Sequence, residues 1–401
     1  MLYKTGVANK RAVAILFFID GLAYGTWVAH LPLLKTRLFL TDSALGIALL
    51  FAAIGSLAAL PLAGLWIAKN GSRGIATVSS LAAIPMLIFP YAAPNYFTLL
   101  AATFTIGVAY SAMDVSLNAQ AAVIENTTSR PIMSTFYGIF SIGGLVGAII
   151  TAIALTNGST ALRDVFAVVM IAEVVLLGAA IFLISEAPVM KMNDVGKRNV
   201  NRDTLPKLAL LGVVAFFGFI GEGALADWGA IYIRTSLAAG FATAAIGFGA
   251  FSFAMAIGRF IGDISVSKFG ERKVLMAGAF LAAGSLLFAI SVQTVWASLI
   301  GFALVGLGIA NAIPIVLSIA SRIRGLAVGV GIAGVSTIGY AGFLVGPTLV
   351  GFVSDAVGLR FALSLVALAI AAIALIASRI EYGDVERIGL DHVAGALEPS
   401  I

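Results

Sequence analysis

Residues 103–122 read TFTIGVAYSAMDVSLNAQAA, a mostly apolar run with Asp114 near its middle. About 20 apolar residues is the length that an α-helix needs to cross the hydrocarbon core of a bilayer. A charge at the centre of such a helix costs about 2.5–3.5 kcal/mol on insertion scales, so it is retained where it faces other protein or a water-filled cavity. The run therefore indicates a membrane helix that borders a polar pathway.

The composition extends this interpretation to the whole chain. Of 401 residues, 61% are hydrophobic and 11% are charged, whereas soluble domains carry about 25% charged residues. A soluble protein this apolar could not cover its surface with polar groups, so we expect a polytopic membrane protein. The net charge of +5 does not indicate a nucleic-acid partner, because its meaning depends on how the charges divide between the two sides of the membrane.

Apolar runs of this length recur along the chain, and the longest polar interval divides them six and six. They fall at about 12–34, 44–67, 75–93, 97–122, 132–156, 163–185, 207–233, 240–264, 273–293, 295–320, 326–352 and 359–380. We therefore predict an all-α membrane protein with twelve transmembrane helices in two six-helix bundles. The predicted segments are an N-terminal bundle (1–185), a cytoplasmic linker (186–206), a C-terminal bundle (207–380) and a cytoplasmic tail (381–401).

The basic residues favour one orientation. With the N-terminus in the cytoplasm, the cytoplasmic segments hold 18 of the 24 Lys and Arg residues and the outer segments hold five, while Arg259 lies inside a span. Basic residues concentrate in cytoplasmic loops, so we expect both termini in the cytoplasm. The two halves also show a weak sequence match. Gly71 corresponds to Gly270 and Arg73 to Arg272, each pair 199 residues apart, which is the pattern expected from an internal duplication.

Polar residues share one face of the fourth span. Gly107, Ser111, Asp114 and Asn118 follow one another at spacings of 4, 3 and 4, which places them on one side of a helix. Lipid cannot hydrogen-bond polar groups, so this face should look into the protein. We interpret Asp114 as a functional carboxylate that can be hydrogen-bonded from its own face. A purely structural contact between helices is the alternative.

The first span carries a second central carboxylate. Asp20, Tyr24 and Trp27 share a face, and Tyr and Trp suit a pocket for a polar solute. Trp27 could equally belong to the interfacial aromatic belt. His30 lies further along the span and is expected at a wet outer mouth.

The seventh span carries the third central carboxylate, Glu222, between two glycines. Asp227 lies five residues further on, about 140° around the helix, so a straight helix cannot direct both side chains to one spot. We expect Asp227 to act as a gate or to form an ion pair with Arg234. Contact with a substrate is the alternative for Asp227.

The turn after the eighth span combines glycines with Arg259, Asp263 and Arg272. An Asp at such a turn can accept hydrogen bonds from a neighbouring helix N-terminus and pair with Arg, which would latch two helices in one conformation. Ordinary cytoplasmic positive charge is the simpler alternative, although it does not explain Asp263 or the glycines.

Several chemistries are excluded by what the chain lacks. It contains no cysteine, its two histidines, His30 and His392, are far apart, and it has no phosphate-binding loop of the Gly-Lys-Ser/Thr kind. Disulfides, thiolate metal sites and multi-histidine metal sites are therefore excluded. We find no credible nucleophile–base pair. We expect no metal, no cofactor and no enzymatic activity.

Taken together, these features resemble the major facilitator superfamily of transporters over essentially the whole chain. The stretch 262–273, GDISVSKFGERK, resembles the cytoplasmic signature of that superfamily with extra spacing after the Asp, and Gly64 stands where the repeat has Asp263. Four stretches more closely resemble the YbjJ-type bacterial inner-membrane permeases: 29–35, 113–120, 222–228 and 339–347. Residues 114–118 are also distantly similar to the fucose-permease pattern, with Ala119 in place of its proline.

The resemblance implies a secondary transporter in the inner membrane that moves a small polar solute together with protons by alternating access. It assigns proton coupling to Asp114 and Asp20, with Glu222 as a further acid. The expected partners are the solute, protons and the lipid bilayer, and we expect a monomer. The expected substrate contacts are Tyr24, Trp27, Ser111, Asn118 and Asn311. The expected gating residues are Asp227, Arg259, Asp263 and Arg272.

Two other functions are considered. One is a proton-antiport exporter of drugs or metabolites, although residues 137–144 of the fifth span lack the Gly-Pro motif of such exporters. The other is a membrane sensor that has lost transport, which would not need central acids on three helices.

Overall fold

The computed structural model describes residues 7–128, 132–183, 204–323 and 328–380, and these residues form fourteen α-helices. The helices are α1 (Val7–Arg37), α2 (Asp42–Asn70), α3 (Ser72–Met86), α4 (Ile88–Ala92), α5 (Tyr96–Thr128), α6 (Met133–Thr156), α7 (Ala161–Ala180), α8 (Thr204–Thr235), α9 (Phe241–Phe269), α10 (Glu271–Val292), α11 (Val295–Ile309), α12 (Ala312–Ser321), α13 (Val328–Val357) and α14 (Leu359–Ala377). The predicted tail and most of the predicted linker lie outside the described residues. Because α8 begins at Thr204, it includes the last three residues of the segment predicted as linker.

Eleven segments of the described chain are long and apolar enough to cross a bilayer. Two of these segments are interrupted helices, α3 with α4 and α11 with α12. The helix outside this set is α7, whose 20 residues include Arg163, Asp164 and Glu173. The all-helical membrane class is thus confirmed. The twelfth span and the division into two six-helix bundles remain predictions.

The break between α11 and α12 has a local cause. Pro314 lies in the first turn of α12, and it has no N–H to donate to the carbonyl of Ala310. The helix is interrupted at Asn311, whose side-chain amide donates a hydrogen bond of 2.9 Å to the Gly258 carbonyl of α9. The break therefore fixes α12 against α9.

Helices from each half of the sequence pack mainly on one another. We call α1–α7 the first half and α8–α14 the second half. Within the first half α1 contacts α5, α6 and α7, and within the second half α8 contacts α12, α13 and α14. The pairs that join the halves include α2–α13, α6–α9, α1–α8 and α1–α9. As a result α1 and α8 are enclosed, with residues 19–32 buried except Tyr24 and residues 223–233 all buried.

Glycines allow the closest of these approaches, between α1 and α6. A Cβ added at Gly21 would lie 1.9 Å from the Phe140 carbonyl oxygen, and one added at Gly25 would lie 2.2 Å from the Gly144 carbonyl oxygen. Backbones can approach this closely only where the side chain is a hydrogen atom. The contact holds the face of α1 that carries Asp20 in a fixed position beside α6.

The halves also meet where α1 leads into α2, which we call the Asp42 end. The carboxylate of Asp355, near the end of α13, accepts hydrogen bonds from the backbone N–H groups of Asp42 (2.9 Å) and Ser43 (2.8 Å). Asp42 in turn accepts a hydrogen bond from Ser354 and forms an ion pair with Lys35. A side chain of the second half therefore caps the first turn of a helix in the first half.

Candidate functional site

The predicted polar face of α5 forms a hydrogen-bonded unit with α6. Asn118 donates from Nδ2 to Asp114 Oδ1 at 2.9 Å, as the four-residue spacing predicted. The Asn118 side-chain oxygen accepts a hydrogen bond of 2.9 Å from the Tyr137 hydroxyl of α6. This chain of donors orients the amide, so the Asp114 carboxylate receives a fixed N–H donor.

Arg259 of α9 connects this unit to the other half. Its guanidinium donates to Ser141 Oγ at 2.8 Å and to the Tyr137 carbonyl at 3.2 Å, both on α6. It also donates to Glu222 Oε1 of α8 at 3.1 Å, and it lies 5.5 Å from the centre of the Tyr137 ring. The planar guanidinium can satisfy several acceptors at once, so one side chain joins α8 and α9 to α6. A polar chain of contacts therefore leads from Asp114 to Glu222, and within it the Tyr137 ring lies between the hydroxyl that donates to Asn118 and the carbonyl that accepts from Arg259.

Two further carboxylates, Asp20 of α1 and Asp227 of α8, are buried. Asp20 is 5% exposed and Asp227 is 8% exposed. The ring of Tyr24 packs against Phe140 of α6 (5.9 Å between ring centres) and Phe248 of α9 (6.0 Å). Tyr24 of α1 thus packs between α6 and α9, one helix from each half.

The other predicted substrate contacts are more dispersed. Ser111 is buried on α5. Trp27 is buried and packs edge-on against Tyr91, whose hydroxyl donates to the Trp27 carbonyl at 2.9 Å, so this residue is not in an interfacial belt. Asn311 contacts α9 through Gly258. Their roles in substrate binding remain predictions.

The expected ion pair between Asp227 and Arg234 is wrong. Seven residues correspond to about 10.5 Å of helix rise, which is too far for the two side chains to meet easily. Arg234 instead donates to the Ala239 carbonyl at 3.1 Å and lies 4.4 Å from the ring centre of Phe241. Asp227 is buried on α8.

Asp263 and Arg272 lie away from this cluster. Both are exposed: Asp263 lies on α9, six residues before the last residue of that helix, and Arg272 lies in the first turn of α10. Arg272 donates to the Ser378 carbonyl after α14 at 2.7 Å. Asp263 is four residues beyond Arg259, about 6 Å along the helix axis. Their gating role remains a prediction.

The sequence predicts His30 at a wet outer mouth, and this prediction is wrong. It is fully buried, with Nδ1 2.8 Å from the Thr26 carbonyl and Nε2 3.4 Å from Asp164 Oδ2 of α7. Asp164 also accepts a hydrogen bond from Ser159. The imidazole therefore holds α1 and α7 together inside the first half.

Sequence reasoning missed Tyr137 and Ser141 as parts of the site. Both lie on α6, four residues apart, and that spacing is the signal that could have found them. It also missed that Arg259 is the partner of Glu222, because these residues belong to different helices and are 37 positions apart. Local periodicity contains no information on such a pair.

Comparison with known proteins places this geometry in a family. No protein-family model matches the chain. The chain is 32% identical over 379 residues to an uncharacterized MFS-type transporter of Yersinia pestis, and the match covers 92% of this chain and 95% of that protein. The chain therefore belongs to the MFS-type (major facilitator superfamily) transporters.

Two solved structures share the fold. A bacterial homolog of the human lysosomal transporter Spinster, in an inward-facing and unoccupied conformation, has a TM-score of 0.74 at 14% identity, with 94% of this chain and 98% of that chain covered. A mutant of the nucleoside transporter NupG has a TM-score of 0.72 at 13% identity, with 92% and 99% covered. At these identities the likeness concerns the fold alone.

Proposed function

We propose that this transporter moves a small polar solute across the bacterial inner membrane together with protons, by alternating access. The observation that carries the proposal is the polar chain from Asp114 to Glu222, which crosses from one half of the molecule to the other. The sequence resemblance to YbjJ-type and fucose permeases supports the same function. A nucleoside, the solute named for one protein of the same fold, is also small and polar.

In this mechanism Asp114 takes up and releases the proton, with Asp20 and Glu222 as helping acids. Ionised Asp114 attracts the Asn118 amide, and the Asn118 oxygen is then held by Tyr137. A proton on Asp114 removes the charge that orients this chain, which weakens the bonds that lead to Arg259. The charge of Asp114 thereby influences the strength of the hydrogen bonds between α6 and Arg259 of α9.

Alternating access then requires that the halves separate at one end and close at the other. The capped helix at the Asp42 end and the Arg259 bridge are contacts that would break and re-form in turn. We assign Asp263 and Arg272 to gating, because both are exposed and neither is among the central acids. Asp263→Asn should therefore slow transport and leave solute binding nearly intact.

The test of the proposed function is the substitution Asp114→Asn, which mimics a permanently protonated carboxylate. A thermal-shift screen of purified protein first identifies a solute that binds the folded state. In proteoliposomes, Asp114→Asn should abolish accumulation driven by a proton gradient and retain counterflow, in which no net proton movement is needed.

Glu173→Gln is the matched control, because it neutralises a half-buried membrane carboxylate on α7 that is not part of the polar chain. It should accumulate solute as the parent does. If Asp114→Asn accumulates solute to the parent level, Asp114 is a structural contact and the proton-coupling assignment is wrong.

A further inference from the structure

The buried histidine of α1 contacts two oxygen atoms, and neither contact is used in the proposed transport mechanism. His30 is fully buried, its Nδ1 lies 2.8 Å from the Thr26 carbonyl oxygen, and its Nε2 lies 3.4 Å from Oδ2 of Asp164 on α7. A carbonyl oxygen can only accept a hydrogen bond, so the contact with Thr26 requires a proton on Nδ1. This contact therefore fixes the position of the first proton on the ring.

The second ring nitrogen faces a carboxylate. A neutral imidazole with its proton on Nδ1 has a lone pair on Nε2, and this lone pair would point at the negative charge of Asp164. The other oxygen of Asp164, Oδ1, accepts a hydrogen bond from the Ser159 hydroxyl, as an ionised carboxylate does. A second proton, on Nε2, turns the repulsive contact into a charge-assisted hydrogen bond.

Among the described residues, Nε2 has no polar contact other than Asp164. The Thr151 hydroxyl of α6 lies 3.5 Å from the other nitrogen, Nδ1. The ring of Tyr91 on α4 packs edge-on against the imidazole, 5.5 Å between ring centres, and its hydroxyl donates to a backbone carbonyl of α1. Neither neighbour can therefore take the place of a proton on Nε2.

The nearby cations do not neutralise the carboxylate. Lys35, near the end of α1, forms an ion pair with a carboxylate of α2. Arg37 donates to the backbone carbonyls of residues 90, 91 and 93. Arg163, next to Asp164 on α7, is exposed. Within the described part of the chain, the imidazole of His30 is thus the one group in contact with Asp164 that can carry a positive charge.

We propose that His30 and Asp164 form a proton-binding site, in which the imidazole is an imidazolium held against the ionised carboxylate. The buried cation is compensated by a buried anion, which a buried charge requires. Loss of the proton would place a lone pair against the carboxylate and weaken the contact between α1 and α7. The site is separate from the central acids, because His30 lies ten residues beyond Asp20, about 15 Å along the axis of α1.

Nuclear magnetic resonance of isotope-labelled histidine tests for the proton directly. The chain has two histidines, so His392→Gln leaves the ring of His30 as the single imidazole signal. In the purified protein at neutral pH, both ring nitrogens should carry a proton, whereas a neutral ring has one protonated and one bare nitrogen. A bare Nε2 would overturn the proposal, and this includes the case in which the proton sits on Asp164.

Asp164→Asn removes the charge and keeps the shape. Its amide can donate from Nδ2 to the imidazole and can still accept from Ser159 at Oδ1, so the ring should become neutral, with its proton on Nδ1. Glu173→Gln is the matched control, because it neutralises a different carboxylate of α7, and its imidazole should keep both protons. An Asp164→Asn ring that still carries two protons would show that the carboxylate does not hold the second one.

The same proton should make stability depend on pH. A folded state that binds a proton which the unfolded chain has released loses stability as the pH rises. Between about pH 6 and pH 9, the melting temperature of the parent should therefore fall relative to that of Asp164→Asn, whose neutral ring has no such proton to lose. A constant difference between the two melting temperatures would count against the proposal. If Asp164→Asn does not fold, the resonance of the parent ring decides the outcome.

Discussion

Arg259 shows how one residue can connect the two halves of a membrane protein. An arginine inside a span is unfavourable unless its donors are satisfied, and here they reach Glu222, Ser141 and the Tyr137 carbonyl. Two of these acceptors belong to the opposite half. The hydrogen bonds of Arg259 can therefore form only when α6 of the first half lies beside α9 of the second half.

Removing this arginine should destabilise the protein. In Arg259→Ala, Glu222 loses the guanidinium that donates to it, so we expect the free energy of unfolding to fall by about 1–3 kcal/mol. The second substitution Glu222→Gln should recover part of that loss. Thermal unfolding in detergent measures both effects.

Arg322→Ala is the matched control, because Arg322 forms an ion pair with Glu271 outside the central site. We expect its effect on unfolding to be smaller. An Arg259→Ala protein as stable as the parent would show that the bridge contributes nothing to the folded state.

The sequence predicted the parts of the site that lie on one helix. The spacing of Asp114 and Asn118 correctly placed both on one face of a helix. The apolar surroundings of Asp20 and Glu222 in the sequence indicated that these carboxylates face protein and not lipid. It failed where a residue's partner lies on another helix, as for His30. Hydrophobic periodicity reports which face of a helix is buried, but it does not report which helix covers that face.

At the scale of elements, the Asp42 end joins the halves through the terminus of a helix. The first N–H groups of α2 have no partner within their own helix, and Asp355 of α13 supplies the acceptor. A carboxylate at a helix N-terminus is also favoured by the helix dipole. Separating α2 from α13 would expose these N–H groups again.

Asp355→Ala should therefore shift the protein toward an open Asp42 end. Loss of a helix cap costs about 0.5–2 kcal/mol, which corresponds to roughly a 2- to 30-fold change in the equilibrium. The chain has no cysteine, so a single cysteine in place of Thr348, which contacts the Gly46 carbonyl, can be labelled without background. Labelling by a water-soluble maleimide should become faster by this factor.

A cap within one half provides the control for this experiment. Thr294 caps α11 by accepting from the Ala297 N–H, so Thr294→Ala removes the same kind of hydrogen bond without touching the other half. Its labelling rate should match that of the parent. Equal rates in Asp355→Ala and Thr294→Ala would mean that the cap does not hold this end closed.

The glycine contact between α1 and α6 predicts a second element-scale effect. Gly25→Ala would place a methyl group 2.2 Å from the Gly144 carbonyl oxygen, so the helices must move apart. We expect a loss of about 1–3 kcal/mol, typical of overpacking, seen as a lower melting temperature. Gly178→Ala on α7, where a Cβ meets no atom within 4 Å, should be neutral or stabilising. Equal melting temperatures for the two variants would contradict the close approach.

At the scale of the molecule, the number of crossings depends on α7. Its 20 residues correspond to about 30 Å of helix, enough to span the hydrocarbon core. Two of its charges, Arg163 and Asp164, lie in the first turn, and only Glu173 is central. The predicted orientation, with both termini cytoplasmic, requires that α7 cross the membrane.

Reporter fusions after Gly158 and after Met190 test this directly. The 18-to-5 bias of basic residues predicts that alkaline phosphatase is active after Gly158 and inactive after Met190 and after Ile401. A fluorescent reporter that matures only in the cytoplasm should give the opposite pattern. The same result at Gly158 and Met190 would show that α7 does not span, and the twelve-span prediction would fail.

The pair formed by His30 and Asp164 has a consequence for the order in which the protein is made. The two residues are 134 positions apart, and α1 leaves the ribosome before α7 exists. At roughly 5–20 residues per second, about 7–27 s pass before the carboxylate that contacts the imidazole has been synthesised. Until then the imidazole can contact the Thr26 carbonyl of its own helix through Nδ1, while Nε2 still lacks its partner on α7. The assembly of the first half is therefore completed only when its last helix arrives.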